Sequence, residues 1–266
     1  MISIENLHKS FGGVEVLKGA SLDIQDGEVV ALIGPSGEGK SVFLKLMAGL
    51  LRPDSGRIVF NGKDLCSLRR AELVELRNRF GFLFQNGALF DSMTVYDNVA
   101  FPLREKTRQT EKEIEERVLR ELEQVGLTGA DDKYPAQLSG GMAKRAAIAR
   151  ALVLSPEIML FDEPTTGLDP IIVNSIHSLI DVMHARHGFS GIVVSHAIPA
   201  IFAVVQKVAV LYGGVIRFVG TPKEIFKTDD GVVRDFIRGS LPAEAFRFGE
   251  QIPVQLNAIE KAGGVS

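Results

Sequence analysis

Gly34-Pro35-Ser36-Gly37-Glu38-Gly39-Lys40-Ser41 has the GxxxxGK[ST] spacing of a phosphate-binding loop, and its flanks supply the context that spacing needs. The apolar run Val29-Val30-Ala31-Leu32-Ile33 before it reads as a buried parallel strand. Val42-Phe43-Leu44-Lys45-Leu46-Met47-Ala48-Gly49 after it reads as a helix. The glycines let backbone N–H groups turn inward around phosphate oxygens without a Cβ clash, and the helix N-terminus adds partial positive charge at the same point. Lys40 is placed to reach the β- and γ-phosphates, and the Ser41 hydroxyl to ligate Mg²⁺. The bland alternative, a Gly-rich turn with an accidental Lys-Ser, does not account for the strand and helix on either side.

Further along, Ile158-Met159-Leu160-Phe161-Asp162-Glu163 is an apolar strand ending in two carboxylates. Adjacent strand residues face opposite ways, so Asp162 is assigned to Mg²⁺ and Glu163 to the attacking water. Alone, the pair would read as solvated carboxylates; beside a phosphate loop it reads as chemistry. Leu138-Ser139-Gly140-Gly141-Met142 opens a helix through Leu152, with Ser139 as its cap, and makes a second anion site. Gln85 ends the run Gly81-Phe82-Leu83-Phe84, where its amide could touch metal and water. Gly167-Leu168-Asp169 follows the carboxylate strand, and His196 ends the strand that includes Ile192-Val193-Val194. Each is weak by itself, but strand ends in an open α/β sheet share one ligand-binding edge.

The four apolar runs at Gly81-Phe82-Leu83-Phe84, Ile158-Met159-Leu160-Phe161, Ile192-Val193-Val194 and Val208-Ala209-Val210-Leu211 read as central strands alternating with helices. That pattern predicts an α/β fold with a mostly parallel sheet covered on both faces. Residues 1–30 read as an antiparallel meander of short strands, Ile2-Ser3-Ile4, Val14-Glu15-Val16-Leu17 and Leu22-Asp23-Ile24. The β signal vanishes between Gln85 and Gly141, while Ile114, Val118, Leu119, Leu122 and Val125 recur at helical spacing. We therefore expect a domain over 1–240, a helical subdomain inserted at about 86–140, and a weakly periodic tail over 241–266.

The 266 residues suffice for one large core, and 45% hydrophobic with 24% charged residues is ordinary for a globular chain. A net charge of −3 argues against a nucleic-acid partner. Cys66 is the only cysteine, which excludes an internal disulfide and a CxxC metal site. The N-terminus lacks a signal-peptide pattern, and the apolar stretch 201–216 is broken by Gln206, Lys207 and Gly213-Gly214. A soluble, cytoplasmic chain is expected.

The ordered set GPSGEGKS, Gln85, LSGGM, IMLFDE, GLD and His196, covering residues 1 to about 240, resembles an ATP-binding-cassette (ABC) ATPase, a P-loop NTPase fold. The resemblance implies ATP and Mg²⁺ as cofactors. It implies a second copy of the chain, so that two ATPs are sandwiched between one copy's residues 34–42 (through Val42) and the other's Ser139-Gly140-Gly141. Phe11 would stack on adenine with Val16 beside it, a core role for Phe11 being the alternative. Metal contacts would come from Ser41, Gln85 and Asp162. Catalysis would fall to Glu163, Gln85 and a γ-phosphate contact from His196, and Asp169 would link the two chains. Three positions depart from the commoner pattern: Met142 stands in place of Gln, Ala197 in place of Asp, and Glu38 lies inside the phosphate loop. The Glu38 carboxylate must point away from the phosphates.

With no membrane span of its own, a transporter ATPase needs separate transmembrane permease subunits, and the apolar-rich segment 86–103 is the expected docking region. Leu89-Phe90-Asp91-Ser92-Met93-Thr94-Val95, the following Asn98-Val99-Ala100-Phe101-Pro102-Leu103, and LSGGM are similar to phospholipid-transport ATPases of the Mla, or mammalian-cell-entry (MCE), type. That similarity implies a peripheral protein on the cytoplasmic face of the inner membrane, an MCE-type lipid-binding partner, and phospholipid movement between inner and outer membranes. The alternatives are an ATPase for small-solute import, for instance of amino acids, and a cassette acting on ribosomes or DNA.

Overall fold

The computed structural model describes residues 1–241; the tail expected over 241–266 therefore lies almost wholly outside the described residues. Its strands are β1 (Ile2–Phe11), β2 (Val14–Ile24), β3 (Val29–Ile33), β4 (Ser55–Phe60), β5 (Lys63–Asp64), β6 (Phe80–Leu83), β7 (Ile158–Asp162), β8 (Ser190–Val194), β9 (Lys207–Tyr212) and β10 (Val215–Gly220). Its α-helices are α1 (Lys40–Met47), α2 (Arg70–Arg77), α3 (Val95–Lys106), α4 (Glu111–Gln124), α5 (Gly140–Leu152), α6 (Pro170–His187) and α7 (Gly231–Ser240).

Six strands form one sheet in the order β10-β9-β3-β8-β7-β6, parallel except where β10 runs back along β9. Parallel strands buried on both faces read as unbroken apolar runs, which is why β3, β7 and β8 are fully buried. Alternate residues serve opposite faces. Val29, Ala31, Ile33, Met159 and Phe161 join a core with α3 to α7, while Val30, Leu32, Ile158 and Leu160 join a second core with α1 and the other sheet. The segment read as an inserted helical unit thus shares its hydrophobic core with one face of the parallel sheet.

Two expectations are corrected. The opening 30 residues hold two long strands rather than a meander of short ones. Val14-Glu15-Val16-Leu17 and Leu22-Asp23-Ile24 belong to the single strand β2, which stays paired to β1 through register shifts. β1 also pairs with β4, while β3 leaves for the parallel sheet. The strand at Phe80–Leu83 is an edge rather than a central strand, since it pairs only with β7. Strands β4, β5 and β10 and helices α2 and α7 went unread: each is short, and only β4, α2 and α7 bury apolar side chains, one or two apiece.

Helix α6 buries His177, whose ring nitrogens have no hydrogen-bond partner among the described residues, and burial pushes its pKa down to about 4. Near neutral pH the imidazole is uncharged folded or unfolded, so nothing is lost. Between its ordinary value of 6.5 and about 4, the unfolded chain takes up a proton that the folded chain refuses, so stability falls as pH drops. His177→Leu should therefore gain about 2 kcal/mol more over the parent at pH 4.5 than at pH 7. Urea unfolding at both pH values checks this; equal gaps at both would remove the titration account.

Candidate functional site: a phosphate loop facing two carboxylates

In the parallel strands β3, β8, β7 and β6 every C-terminus emerges at one edge, and the chain places Gly34, Ser195-His196, Asp162-Glu163 and Gln85 there. The loop after β3 depends on glycine at two points. Gly34 (φ +152°) passes so close to β9 that an added Cβ would lie 2.1 Å from the Leu211 carbonyl oxygen. Gly39 (φ +94°) would drive a Cβ to 2.6 Å from Val16 Cγ1. Gly39 is also the N-cap of α1 and offers no side-chain cap, so the first N–H groups of α1 stay open to an anion.

Lys40 is buried, and its ammonium donates to the carbonyls of Gly34 (2.8 Å) and Pro35 (2.7 Å). Burial pushes its pKa down, against the nearby charges of Glu163, Glu38 and Asp162, which hold it up. Glu38 does point away from the loop interior: its carboxylate accepts from the Gly213 N–H (2.6 Å) in the turn between β9 and β10. An acid inside the loop thus ties it to the neighbouring strand pair.

The Ser41 hydroxyl donates to the buried Asp162 carboxylate at 2.8 Å. Burial raises the Asp162 pKa, the Ser41 bond lowers it, and Glu163 raises it again. Strand β7 ends at Asp162, and Glu163 turns off it in the left-handed region (φ +50°), which costs a non-glycine residue about 1 kcal/mol. Its backbone N–H is held by the Val194 carbonyl of β8 (3.1 Å). This turn, more than strand alternation, separates the two carboxylates.

Around Glu163 converge His196 Nε2 on one carboxylate oxygen (2.9 Å), and Gln85 Nε2 (3.1 Å) and the Thr166 hydroxyl (2.7 Å) on the other. Thr166 escaped sequence reading; its only signal is a hydroxyl three residues after an acid. Lys144, buried in α5 and donating to the Gln85 carbonyl, was also missed, because a lysine in a helix ordinarily reads as solvated.

No hydrogen bond or ion pair among the described residues joins Ser139, Gly140, Gly141, Asp169 or Phe11 to this cluster. Ser139 caps α5, accepting from the Met142 N–H (3.3 Å), and is exposed. Asp169 caps α6 through the N–H groups of Ile171 (3.0 Å) and Ile172 (3.1 Å). Phe11 is 45% exposed with Lys9 over its ring, which rules out a core role.

A family model described as "ABC transporter" matches residues 17–166. The chain is 44% identical over 238 residues to the "Probable ribonucleotide transport ATP-binding protein mkl" of Mycobacterium leprae, covering 90% of this chain and 69% of that protein. It is 41% identical to the "Intermembrane phospholipid transport system ATP-binding protein MlaF" of Haemophilus influenzae, covering 90% of each. Among solved structures, the dimeric cassette MJ0796 in a post-hydrolysis state, bound to ADP and Pi, superposes with a TM-score of 0.76 at 32% identity, covering 84% of this chain and 99% of that one. Because the family model spans more than half of the chain and the site presents its phosphate loop and carboxylates at one sheet edge, the chain belongs to the ABC transporter family as an ATP-binding, ATP-hydrolysing subunit.

Proposed function

We propose that this ATPase powers phospholipid transport between membranes, with Glu163 as the catalytic base. The observation that carries the catalytic assignment is the convergence of His196, Gln85 and Thr166 on one left-handed glutamate beside the Ser41–Asp162 pair. In this reading the N–H groups from Gly37 to Val42, with Lys40, hold the ATP phosphates, and Phe11 beside Val16 receives the adenine. Glu163 accepts the proton of the attacking water, while Gln85 and His196 keep that water and the γ-phosphate in line.

Ser41, Asp162 and the side-chain amide oxygen of Gln85 are hard oxygen donors, and the buried Asp162 carboxylate lies 2.8 Å from the Ser41 hydroxyl, a set that suits Mg²⁺. Mg²⁺ when bound would neutralise charge on the phosphates. The N-terminus of α5, where Ser139 and Gly140 are exposed and Gly141 is buried, and the exposed Asp169 are read as surfaces for a second copy, which would complete each ATP site.

Similarity to MlaF over 90% of both chains favours a lipid cargo over a small solute. No helix among the described residues is long and apolar enough to cross a membrane. Transport therefore calls for permease subunits, with the chain held peripherally at the cytoplasmic face of the inner membrane. Residues 86–103 are their proposed seat. There Phe90 is exposed, and the buried Asn98 side chain pins the segment through the backbone of Phe90, Met93 and Thr94.

The test is to purify tagged Glu163→Gln chain from detergent-solubilised native membranes and identify proteins and lipids by mass spectrometry. A multi-span permease, an MCE-type lipid-binding protein and enriched phospholipid are expected. A permease with a soluble solute receptor would move the cargo to a small solute, and ribosomal or DNA-bound factors would overturn the transport reading.

A further inference from the structure

Helix α5 carries three cations that donate to backbone carbonyls, Lys144 buried and Arg145 and Arg150 half-buried. Arg150 gives its two terminal nitrogens to the carbonyls of Gly87 (2.7 Å) and Ala88 (2.8 Å). Both residues are left-handed (φ +72° and +51°), which is unstrained for Gly87 and strained for Ala88. Arg145 reaches in other directions, to the Val125 carbonyl (2.6 Å) and the Ser175 hydroxyl (2.6 Å). Lys144 donates to the carbonyl of Gln85, its one hydrogen-bond partner among the described residues, and is only 8% exposed. An ammonium is costly to bury, and an aliphatic residue at this position would avoid that cost. The charge of Glu163 acts on the Lys144 ammonium and helps to hold it charged, against burial. Thus one residue of the loop, Gln85, is fixed at its carbonyl by Lys144 and reaches Glu163 with its side-chain amide at 3.1 Å.

We propose that Lys144 is a positioning residue for hydrolysis: from α5 it fixes the Gln85 carbonyl and so aims the Gln85 amide at Glu163. The N-terminus of the same helix is Ser139-Gly140-Gly141, read above as the site for the partner copy's nucleotide. Displacement of α5 by that nucleotide is then transmitted through the side chains of Lys144 and Gln85 to the chain's own catalytic carboxylate. The inference rests on the assignment of Glu163 as catalytic base.

Its test uses the full chain with Lys144→Met, which keeps the aliphatic stem without the donor, and Lys144→Arg, which keeps donor and charge. Lys144→Met should lower kcat about tenfold with KM for ATP unchanged, since the phosphate loop is untouched; Lys144→Arg should recover to within about threefold of the parent. In a Gln85→Ala background Lys144→Met should cost nothing further, because the residue acts through Gln85. Without nucleotide, amide hydrogen exchange over residues 84–90 should quicken about tenfold in Lys144→Met and not in Lys144→Arg. That measurement needs no turnover. Unchanged exchange, a rise in KM alone, or fully additive losses with Gln85→Ala would each overturn the proposal. Glu163→Gln run beside them separates the two readings. Should it turn over normally, the base assignment fails; should it be inactive while Lys144→Met behaves as the parent, only the Lys144 inference fails.

Discussion

Glu163→Gln should leave ATP bound and cut its turnover about 10³-fold, equivalent to some 4 kcal/mol of barrier. The amide is isosteric with the carboxylate, so the three-sided cage of His196, Gln85 and Thr166 persists. With the amide nitrogen toward His196, which can exchange tautomer to accept, the amide oxygen still accepts from the Gln85 amide and the Thr166 hydroxyl. What the amide cannot do is accept a proton from water. Binding is untouched because the residues proposed to hold the phosphates, Lys40 and the N-terminus of α1, belong to a different strand end. Phosphate release and equilibrium nucleotide binding, measured on the same preparation, check the split. Copies trapped with ATP should also accumulate as dimers in size-exclusion chromatography. Turnover within about tenfold of the parent would remove Glu163 from the role of general base.

Lys40→Ala should weaken ATP binding about 100-fold, or close to 3 kcal/mol, the scale of a charge-assisted contact to phosphate lost from a partly buried site. In the nucleotide-free chain the ammonium rests on the carbonyls of Gly34 and Pro35 at the mouth of the loop, within electrostatic range of Glu163 and Asp162. It is therefore stationed where phosphates would arrive and needs only to exchange two carbonyls for phosphate oxygens. Folding should hardly change, because losing those two bonds is offset by relieving the burial of a charge. A nucleotide titration with a thermal melt distinguishes the cases. Unaltered affinity at unaltered Tm would contradict the phosphate-loop reading, and a collapsed Tm would assign Lys40 to structure instead.

Much of the machinery was legible because its chemistry is local. GPSGEGKS needs its glycines, lysine and serine at fixed spacing in one turn, and the strand on one side and helix on the other are equally local. The apolar runs of β3, β7, β8 and β9 are continuous because both faces are buried, so they announced a parallel sheet without any knowledge of partners. The strand at Phe80–Leu83 was legible as a strand but not as an edge, since neighbour number is a property of the sheet. The long strand β2 was hidden by Gly19, whose φ of +101° marks an irregularity that pairing with β1 absorbs.

Sequence alone determined that a glycine-rich turn joins a buried strand to a helix and that the core is α/β, because backbone conformation at glycine and burial on two faces impose themselves within a few neighbours. Tertiary structure decided the rest, where partners lie far apart along the chain. Glu38 reaches Gly213, Ser41 reaches Asp162, Lys144 reaches Gln85, and Gln85 and His196 meet on Glu163. Each of those contacts is a hydrogen bond or ion pair of a few ångströms between distant residues, and only the closing of the sheet brings them within that range.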